Sequence, residues 1–594
     1  MLRRLAEYAL DINALSRLSR SVAKAIGGNL HGPLTRFHLA LLSNATTDLV
    51  VPALVASAAR YGVALSVAPA PFGMTVQAAM DPTASIWSPL PDGVLVQLDY
   101  RAFFGDLAWD DAPEERVETA LAQLDQIISP FKEAGVAVFL QSLAVPPQRF
   151  LGSADMAHAS SLAAMIRQFN GRLARDVIGA GVYLVDIETL AAEFGLSHWF
   201  SSQQWFLARL PFAQDAVPAY ADRVARVIGA VRGRSRKVLV LDLDNTLWGG
   251  VIGDDGIKGI RLGQGDPVGE AHLEVQKAAA ELRNRGILLA ISSKNDDNVA
   301  MEAIRKHPDM VLMDTDFAAT AINWSDKASN IEQLAKELSL GLDSFVFMDD
   351  NPAERAQVRT ALPDVAVLEL PKDAGHYADL LRSCGLFEAT SLLQEDRQRA
   401  DQYRANADRE KLKLQSRDIS SFLESLDMSA SFTCDPEADW SRFTQLINKS
   451  NQFNLTTRRY TESDILQFVR TPRTLALQVR LKDRFGDNGM ISAIMCRPEV
   501  DIWHIETWVM SCRVLGRRVE AAVLNALVEE ARKAQVRTLR GVFIASGRND
   551  MVREHYLRLG FRPVEQSPDQ TSWEIDVATY VPLPVPIRCD AREA

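Results

Sequence analysis

Short apolar runs recur along this chain, each closed by a polar turn and followed by a stretch of helical periodicity. Within residues 1–232 the runs are Phe37–Leu42, Val63–Val67, Val94–Leu98, Val136–Leu140 and Gly181–Val185. Near-continuous apolar strands alternating with helices predict a parallel sheet covered on both faces, a doubly wound α/β layer. Residues 233–388 repeat the pattern with Val238–Leu241, Ile287–Ile291 and Ser344–Met348. From 429 to 580 the pattern changes. Thr474–Val479 and Gly489–Ile494 flank a hairpin-like turn, Lys482–Asp487, and a strand from Ile505 leads through Arg513–Arg518 into a helix running to about Lys533. Residues 389–428 read as a helical connector with Glu395, Arg397, Arg399, Arg404 and Lys411 on a solvated face, and residues 581–594 as a tail. Leu5, Ile12, Leu15, Leu18 and Val22 mark one face of an N-terminal helix, while Asp11, Arg17, Arg20 and Lys24 interrupt any signal-peptide core. The expected fold class is multidomain α/β.

Composition narrows the function classes. At ~150 residues per domain, 594 residues predict three or four domains. An apolar content of 47% with 24% charged residues is that of a soluble globular protein. The net charge, 65 minus 76 or −11, excludes the whole chain as an electrostatic trap for nucleic acid. No apolar run reaches the ~18 residues of a membrane span. Five cysteines at 384, 434, 496, 512 and 589 form neither a disulfide framework nor a metal spacing, which points to a reducing cytosol. Oligomeric state is not written in these patterns.

The candidate chemistry lies at strand ends. Val238–Leu241 delivers Asp242 and Asp244 into a turn that Thr246 can help hold. Two acids so close repel unless a divalent cation or a proton relieves them; as helix caps they would have no chemical role. Ser292 and Ser293 follow the second strand, Lys327 opens a helical pattern, and Asp349 and Asp350 follow the third strand. This ordered set resembles the four motifs of the haloacid dehalogenase (HAD) superfamily, and its wording is similar to the FkbH-like branch, subfamily IIIC. The resemblance implies Asp242 as phosphoryl-accepting nucleophile, Asp244 as acid/base, and Ser293, or else Ser292, with Lys327 neutralising phosphoryl charge. It also implies Mg2+ held by Asp242, the Asp244 carbonyl and Asp349 or Asp350. The gaps from Asp244 to Ser293 and from Ser293 to Lys327 leave no room for a folded cap domain.

The flanking regions carry further resemblances. Residues 1–232 resemble an SGNH-hydrolase-like domain, but Ser43-Asn44 replaces Gly-Asp-Ser and Gly195 stands three positions before His198 where an aspartate is expected. A docking or structural domain is therefore expected there, with Ser43 and His198 as the pair to check. Residues 429–580, through Arg513-Val-Leu-Gly516-Arg517-Arg518 and Tyr556–Phe561, resemble the N-acetyltransferase (GNAT) fold. That implies binding of the diphosphate and pantetheine of coenzyme A, or of a carrier protein's phosphopantetheine, by Arg513, Gly516, Arg517 and Arg518. Cys512 stands beside these cations, which favour thiolate; the alternative is a small apolar filler. With the Asn451–Arg458 segment, residues 237–575 resemble glyceryl-carrier-protein synthases. The resemblance implies that 1,3-bisphosphoglycerate, a small phosphorylated C3 donor, loads a glyceryl group through Cys512 onto an acyl carrier protein for polyketide or related biosynthesis. A phosphatase of a small metabolite or glycan with an independent coenzyme A-dependent acyltransferase is the second reading, and a scaffold with vestigial enzyme domains the third.

Overall fold

The structure, a computed structural model, describes residues 2–28, 34–105, 109–179, 181–392, six positions between 402 and 413, 416–434, 439–450, 452–546, 549–567 and 570–589. The charged positions Glu395, Arg397, Arg399, Arg404 and Lys411 lie outside the described residues, as does Asn451. Two compact units form. The first holds Met1–Arg234 with Glu388–Thr390 and Thr461–Gln467; the second holds Ser235–Phe387, Ser391–Tyr460 and Phe468–Ala594. The HAD- and GNAT-like regions both fall in the second unit, each with its own sheet.

In the first unit β1 (Thr35–Ser43), β2 (Val63–Pro69), β3 (Gly93–Gln97), β4 (Ala137–Gln141) and β5 (Val182–Val185) form a sheet in the order β2-β1-β3-β4-β5. All its pairings are parallel. Phe37, Leu39 and Leu41 join one apolar cluster and Ala40 and Leu42 the other, so both sheet faces are buried. Gly93 is required by packing, because a Cβ there would meet Phe139 at 2.8 Å and Phe37 at 2.9 Å. The N-terminal helix spans Ile12–Gly27, and Asp11 starts it by accepting from the Ala14 amide at 2.7 Å. Leu15, Leu18 and Val22 are buried as expected, but Leu5 is exposed, because the first helix ends at Ala6 and breaks the periodicity.

The second unit opens with β6 (Val238–Leu241), β7 (Leu288–Ser293), β8 (Phe317–Ile322), β9 (Phe345–Met348) and β10 (Ala366–Val367), ordered β10-β9-β6-β7-β8. β6 is central, parallel to both β7 and β9. Side chains after the C-terminal ends of β6, β7 and β9 therefore converge, the usual ligand position in an open α/β sheet. Between β6 and β7 stand only Ile252–Gly259, broken at Gly256, and the helix Pro267–Asn284.

The last sheet contains β11 (Met428–Thr433), β12 (Leu475–Asp483), β13 (Gly486–Glu499), β14 (Ile502–Met510), β15 (Thr538–Ile544), β16 (Arg562–Gln566), β17 (Gln570–Asp576) and β18 (Ile587–Cys589). Their order, β16-β17-β15-β14-β13-β12-β11-β18, is that of a GNAT-type domain with one added edge strand. That edge strand, β18, pairs with β11 through Met428 and Ile587, so the expected tail completes a sheet. The β12–β13 turn is tighter than expected, closing at Asp483 and Gly486. β14 and β15 are parallel only from Ile502 and Thr538 to Ile505 and Gly541, after which they part. Among the described residues no helix is long and apolar enough to cross a membrane.

Candidate active site

Four strand and helix ends build one carboxylate cluster. Asp242 leaves β6 and is 8% exposed; its amide donates to the Met348 carbonyl of β9 at 3.0 Å. Lys327 is the first residue of the helix Lys327–Glu337, whose start is fixed by Asp326 accepting from the Ser329 amide. The Lys327 ammonium, 2% exposed, lies 2.6 Å from Asp242 Oδ1 and 3.1 Å from Asp349 Oδ2. It also donates to the Ser292 carbonyl at 2.8 Å. Carboxylate oxygens of Asp242, Asp349 and Asp350 all lie within 4.8 Å of one another.

Burial pushes the Asp242 carboxyl up to about 6 although Lys327 pulls it down, and Asp349 adds to the rise. Asp350 is likewise pushed up to about 6 by burial and then by the Asp242 charge. Asp349 moves in the same direction through burial, opposed by Lys327. Burial would lower Lys327, but Asp242 and Asp349 more than offset it and hold the ammonium charged. A crowd of hard oxygen donors held together by one lysine has the composition a divalent cation selects. Octahedral Mg2+ at ~2.1 Å would set its ligand oxygens about 3 to 4 Å apart, so the three carboxylates fit one ion with small side-chain movement.

Asp244 is placed differently. Its Oδ1 accepts from Trp248 Nε1 at 2.9 Å and from the Ile252 amide at 3.0 Å, and its Oδ2 from Asn295 Nδ2 at 3.0 Å. Its carboxylate is outside the three-acid cluster. Asn295 also donates to Ser293 Oγ at 3.1 Å, and Ser293 hydrogen-bonds Asp242, whereas Ser292 Oγ is buried away from any hydrogen-bond partner. Strand alternation thus separates the two serines: Ser293 presents its hydroxyl to the site and Ser292 presents its carbonyl. The turn after β6 is pinned from behind. His272 Nδ1 meets the Thr246 carbonyl at 2.9 Å, Gln276 donates to the Leu247 carbonyl at 2.9 Å, and Thr246 Oγ1 accepts from the Asp350 amide at 3.2 Å. Trp248, Asn295, His272 and Gln276 were not among the sequence candidates. Only Asn295 carried a signal, its place two residues after Ser293 at the end of the second apolar strand.

Cys512 is not part of this cluster. It is half-buried in a short turn, Cys512–Val514, after β14 and packs against the apolar core beneath the N-terminal edge of the β6 sheet. It lines a cavity of about 280 Å3 with Lys237, Ser344, Arg442, Lys449 and Arg513. Lys237 immediately precedes β6 and Asp242 immediately follows it, so the Cys512 cavity and the carboxylate cluster take residues from opposite ends of one strand, and these two residues stand roughly 16 Å apart along the backbone at about 3.3 Å per residue.

The expected diphosphate cradle is also divided. Gly516 and Arg518 border a cavity of about 480 Å3 at the start of the helix Val519–Lys533, while Arg513 faces the Cys512 cavity. Arg517 serves neither. It is buried, 3.1 Å from Asp483, which also pairs with Arg409 at 2.7 Å, and the expected cofactor role gives way to an ion pair inside the fold. In the first unit, Ser43 Oγ accepts from the Ala45 amide and His198 Nδ1 pairs with Ser197, and no hydrogen bond joins Ser43 to His198.

Residues 38–229 match the family model described as FkbH, N-terminal domain. The N-terminal part of BF1531 from Bacteroides fragilis, which contains a phosphatase domain and was solved complexed with Mg, is 29% identical over 64% of this chain and 100% of that one, with a TM-score of 0.59. The site and this likeness define an enzyme with a HAD-type phosphatase domain; with the family match they support an FkbH-like HAD protein. The ribosomal-protein-S18-alanine N-acetyltransferase of Escherichia coli matches at 16% identity over 25% of this chain and 94% of its own, TM-score 0.21. The GNAT domain of PAT from S. lividans matches at 13% over 24% and 89%, TM-score 0.20. The GNAT-type assignment rests on the strand order above. No curated protein matches the chain.

Proposed function

We propose that the chain is a magnesium-dependent phosphatase that acts on a phosphoglyceryl donor, 1,3-bisphosphoglycerate, and passes the glyceryl group to the pantetheine thiol of an acyl carrier protein. The observation carrying this reading is the convergence of Asp242, Asp349 and Asp350 around Lys327. Asp242 attacks phosphorus, the bond from phosphorus to the alkyl oxygen breaks, and Asp244 protonates the leaving oxygen. Asp244 then takes a proton from water, whose oxygen attacks the phosphoaspartate, releasing phosphate and restoring the Asp242 carboxylate. Ser293 and Lys327 neutralise the phosphoryl oxygens. Asp242, the Asp244 carbonyl, Asp349 and Asp350 would hold Mg2+, which would supply positive charge to offset that of the phosphoryl group. In the second half, Cys512 thiolate attacks the acyl-phosphate carbonyl, phosphate leaves and a thioester forms; the carrier thiol then takes the acyl group and Cys512 regains its thiol.

Mass spectrometry of both proteins after incubation with Mg2+, 1,3-bisphosphoglycerate and a carrier protein tests the scheme. A glyceryl adduct on the carrier, lost in Cys512→Ala and carrying an extra phosphate in Asp242→Asn, is the expected result. Normal carrier loading by Cys512→Ala would refute the covalent step.

A further inference from the structure

Where β14 and β15 part, the facing edges of both strands carry backbone groups that must find partners. An extended chain bearing amides, such as a pantetheine arm, is the kind of ligand that pairs with such edges by strand addition. Here the chain has filled the opening itself. The Leu455 amide donates to the Trp508 carbonyl at 3.3 Å, the Met510 amide to the Phe453 carbonyl at 3.2 Å, and the Ile544 amide to the Leu455 carbonyl at 2.8 Å. Leu455 therefore bonds to β14 on one side and β15 on the other.

The insert is anchored along its length. Asn549 Nδ2 donates to the Asn454 carbonyl and to the Ile544 carbonyl, both at 2.9 Å. Thr456 Oγ1 donates to the Glu506 carbonyl at 2.9 Å. Asn454 Oδ1 accepts from the Thr456 and Thr457 amides at 3.3 and 2.8 Å, bending the chain out of the opening. Phe453, Asn454, Leu455 and Thr456 are all buried. A coenzyme A arm laid in this opening would have to expel a covalently tethered, hydrogen-bonded segment, whereas a carrier's arm can meet Cys512 through its own cavity without entering the opening.

We infer that residues 453–456 are a built-in occupant of this opening and a specificity determinant: they exclude coenzyme A thioesters as acyl donors to the GNAT-type domain. The inference deepens the proposed function, leaving acyl phosphate as the donor class, but its structural basis is independent of it. The test is titration calorimetry of the full chain with coenzyme A and acetyl-coenzyme A, paired with hydrogen exchange at Leu455, Met510 and Ile544. The expected result is no binding tighter than about 1 mM and unchanged slow exchange at all three amides. Binding tighter than that, or faster exchange at Leu455 when coenzyme A is added, would overturn it. Leu455→Pro, which lacks the amide that bonds Trp508, should loosen the segment and gain coenzyme A binding; should it fail to fold, the wild-type measurements still decide. Intact-mass measurement of Cys512 loading from an acyl phosphate is run alongside. Failure to load while coenzyme A stays out would end the proposed function and leave this inference standing.

Discussion

Lys327 is the residue whose removal should reveal how the carboxylate cluster is held. Its contacts of 2.6 Å to Asp242 and 3.1 Å to Asp349 correspond to gross attractions of about 6 and about 5 kcal/mol at an effective dielectric of about 20. Desolvation of the buried groups cancels much of this, and breaking a buried pair by deleting one partner typically costs about 3–5 kcal/mol. Lys327→Met keeps the apolar stem and strands two facing acids. The folded variant can relieve the repulsion by binding a proton. From an unfolded pKa near 3.9 that costs about 4 kcal/mol at pH 7 and about 1.5 kcal/mol at pH 5. The variant's folded acid then has a raised pKa, so the stability it contributes is present at low pH and lost as pH rises. The loss relative to wild type should therefore shrink on acidification. Hydrogen exchange of the β6 amides without metal, corrected for intrinsic rates, reads it as roughly a thousandfold acceleration at pH 7 and roughly tenfold at pH 5; Mg2+ should recover part of the pH 7 loss. A loss below about 1 kcal/mol at pH 7, or one that grows on acidification, refutes the reasoning.

Because Asp242 and Asp350 are both pushed up to about 6, Mg2+ must displace protons to bind, and its affinity should rise roughly tenfold or more per unit between pH 5 and pH 6; calorimetry in buffers of different ionisation enthalpy checks both the affinity and the proton release. Trp248→Phe removes one of three hydrogen bonds to Asp244 and should lower kcat about fivefold, for about 1 kcal/mol of positioning, with KM unchanged; a change confined to KM contradicts the acid/base assignment. Cys512→Ala should lose the thioester while Mg2+-dependent phosphate release from a simple phosphoester stays within about twofold, since Cys512 is outside the carboxylate cluster and shares its cavity with Lys237, which precedes β6; loss of both activities would contradict that separation.

The phosphatase site was legible because its residues stand where buried strands stop. Asp242, Ser293 and Asp349 follow apolar runs whose burial needs no long-range information, and Lys327 follows a cap that its own neighbours form. The basic stretch Arg513–Arg518 was not legible in the same way. Gly516 at φ 75° and Arg518 at φ 60° turn the backbone between successive side chains, so a run contiguous in sequence reaches three different places. The partner that claims Arg517, Asp483, is 34 positions away in the β12–β13 hairpin, and no local pattern announces it. Strand β18 and the insert at 453–456 were missed for one reason: each satisfies an edge created elsewhere in the chain.

The placing of Cys512 constrains the order of the proposed reaction. An extended C3 donor with a phosphate at each end measures about 8 Å between phosphorus atoms, from about 3.5 Å per three backbone-like bonds. The residues bounding β6, Lys237 in the Cys512 cavity and Asp242 in the carboxylate cluster, are separated by roughly twice that. On that spacing a donor attached in the Cys512 cavity does not span to Asp242. Phosphate removal must therefore happen before loading, on the free donor, or after transfer, on a carrier arm long enough to swing to the other edge of the sheet. Hydrolysis of the free donor would leave the acyl phosphate as its one activated end, and the glyceryl thioester on Cys512 would then carry no phosphate. Removal on the carrier requires that Cys512 hold a phosphoglyceryl group even in the wild-type enzyme until a carrier arrives. Intact-mass measurement of wild type with Mg2+ and donor, before and after carrier is added, separates the two orders. Retention of phosphate on the enzyme until the carrier enters would place the Asp242 step last.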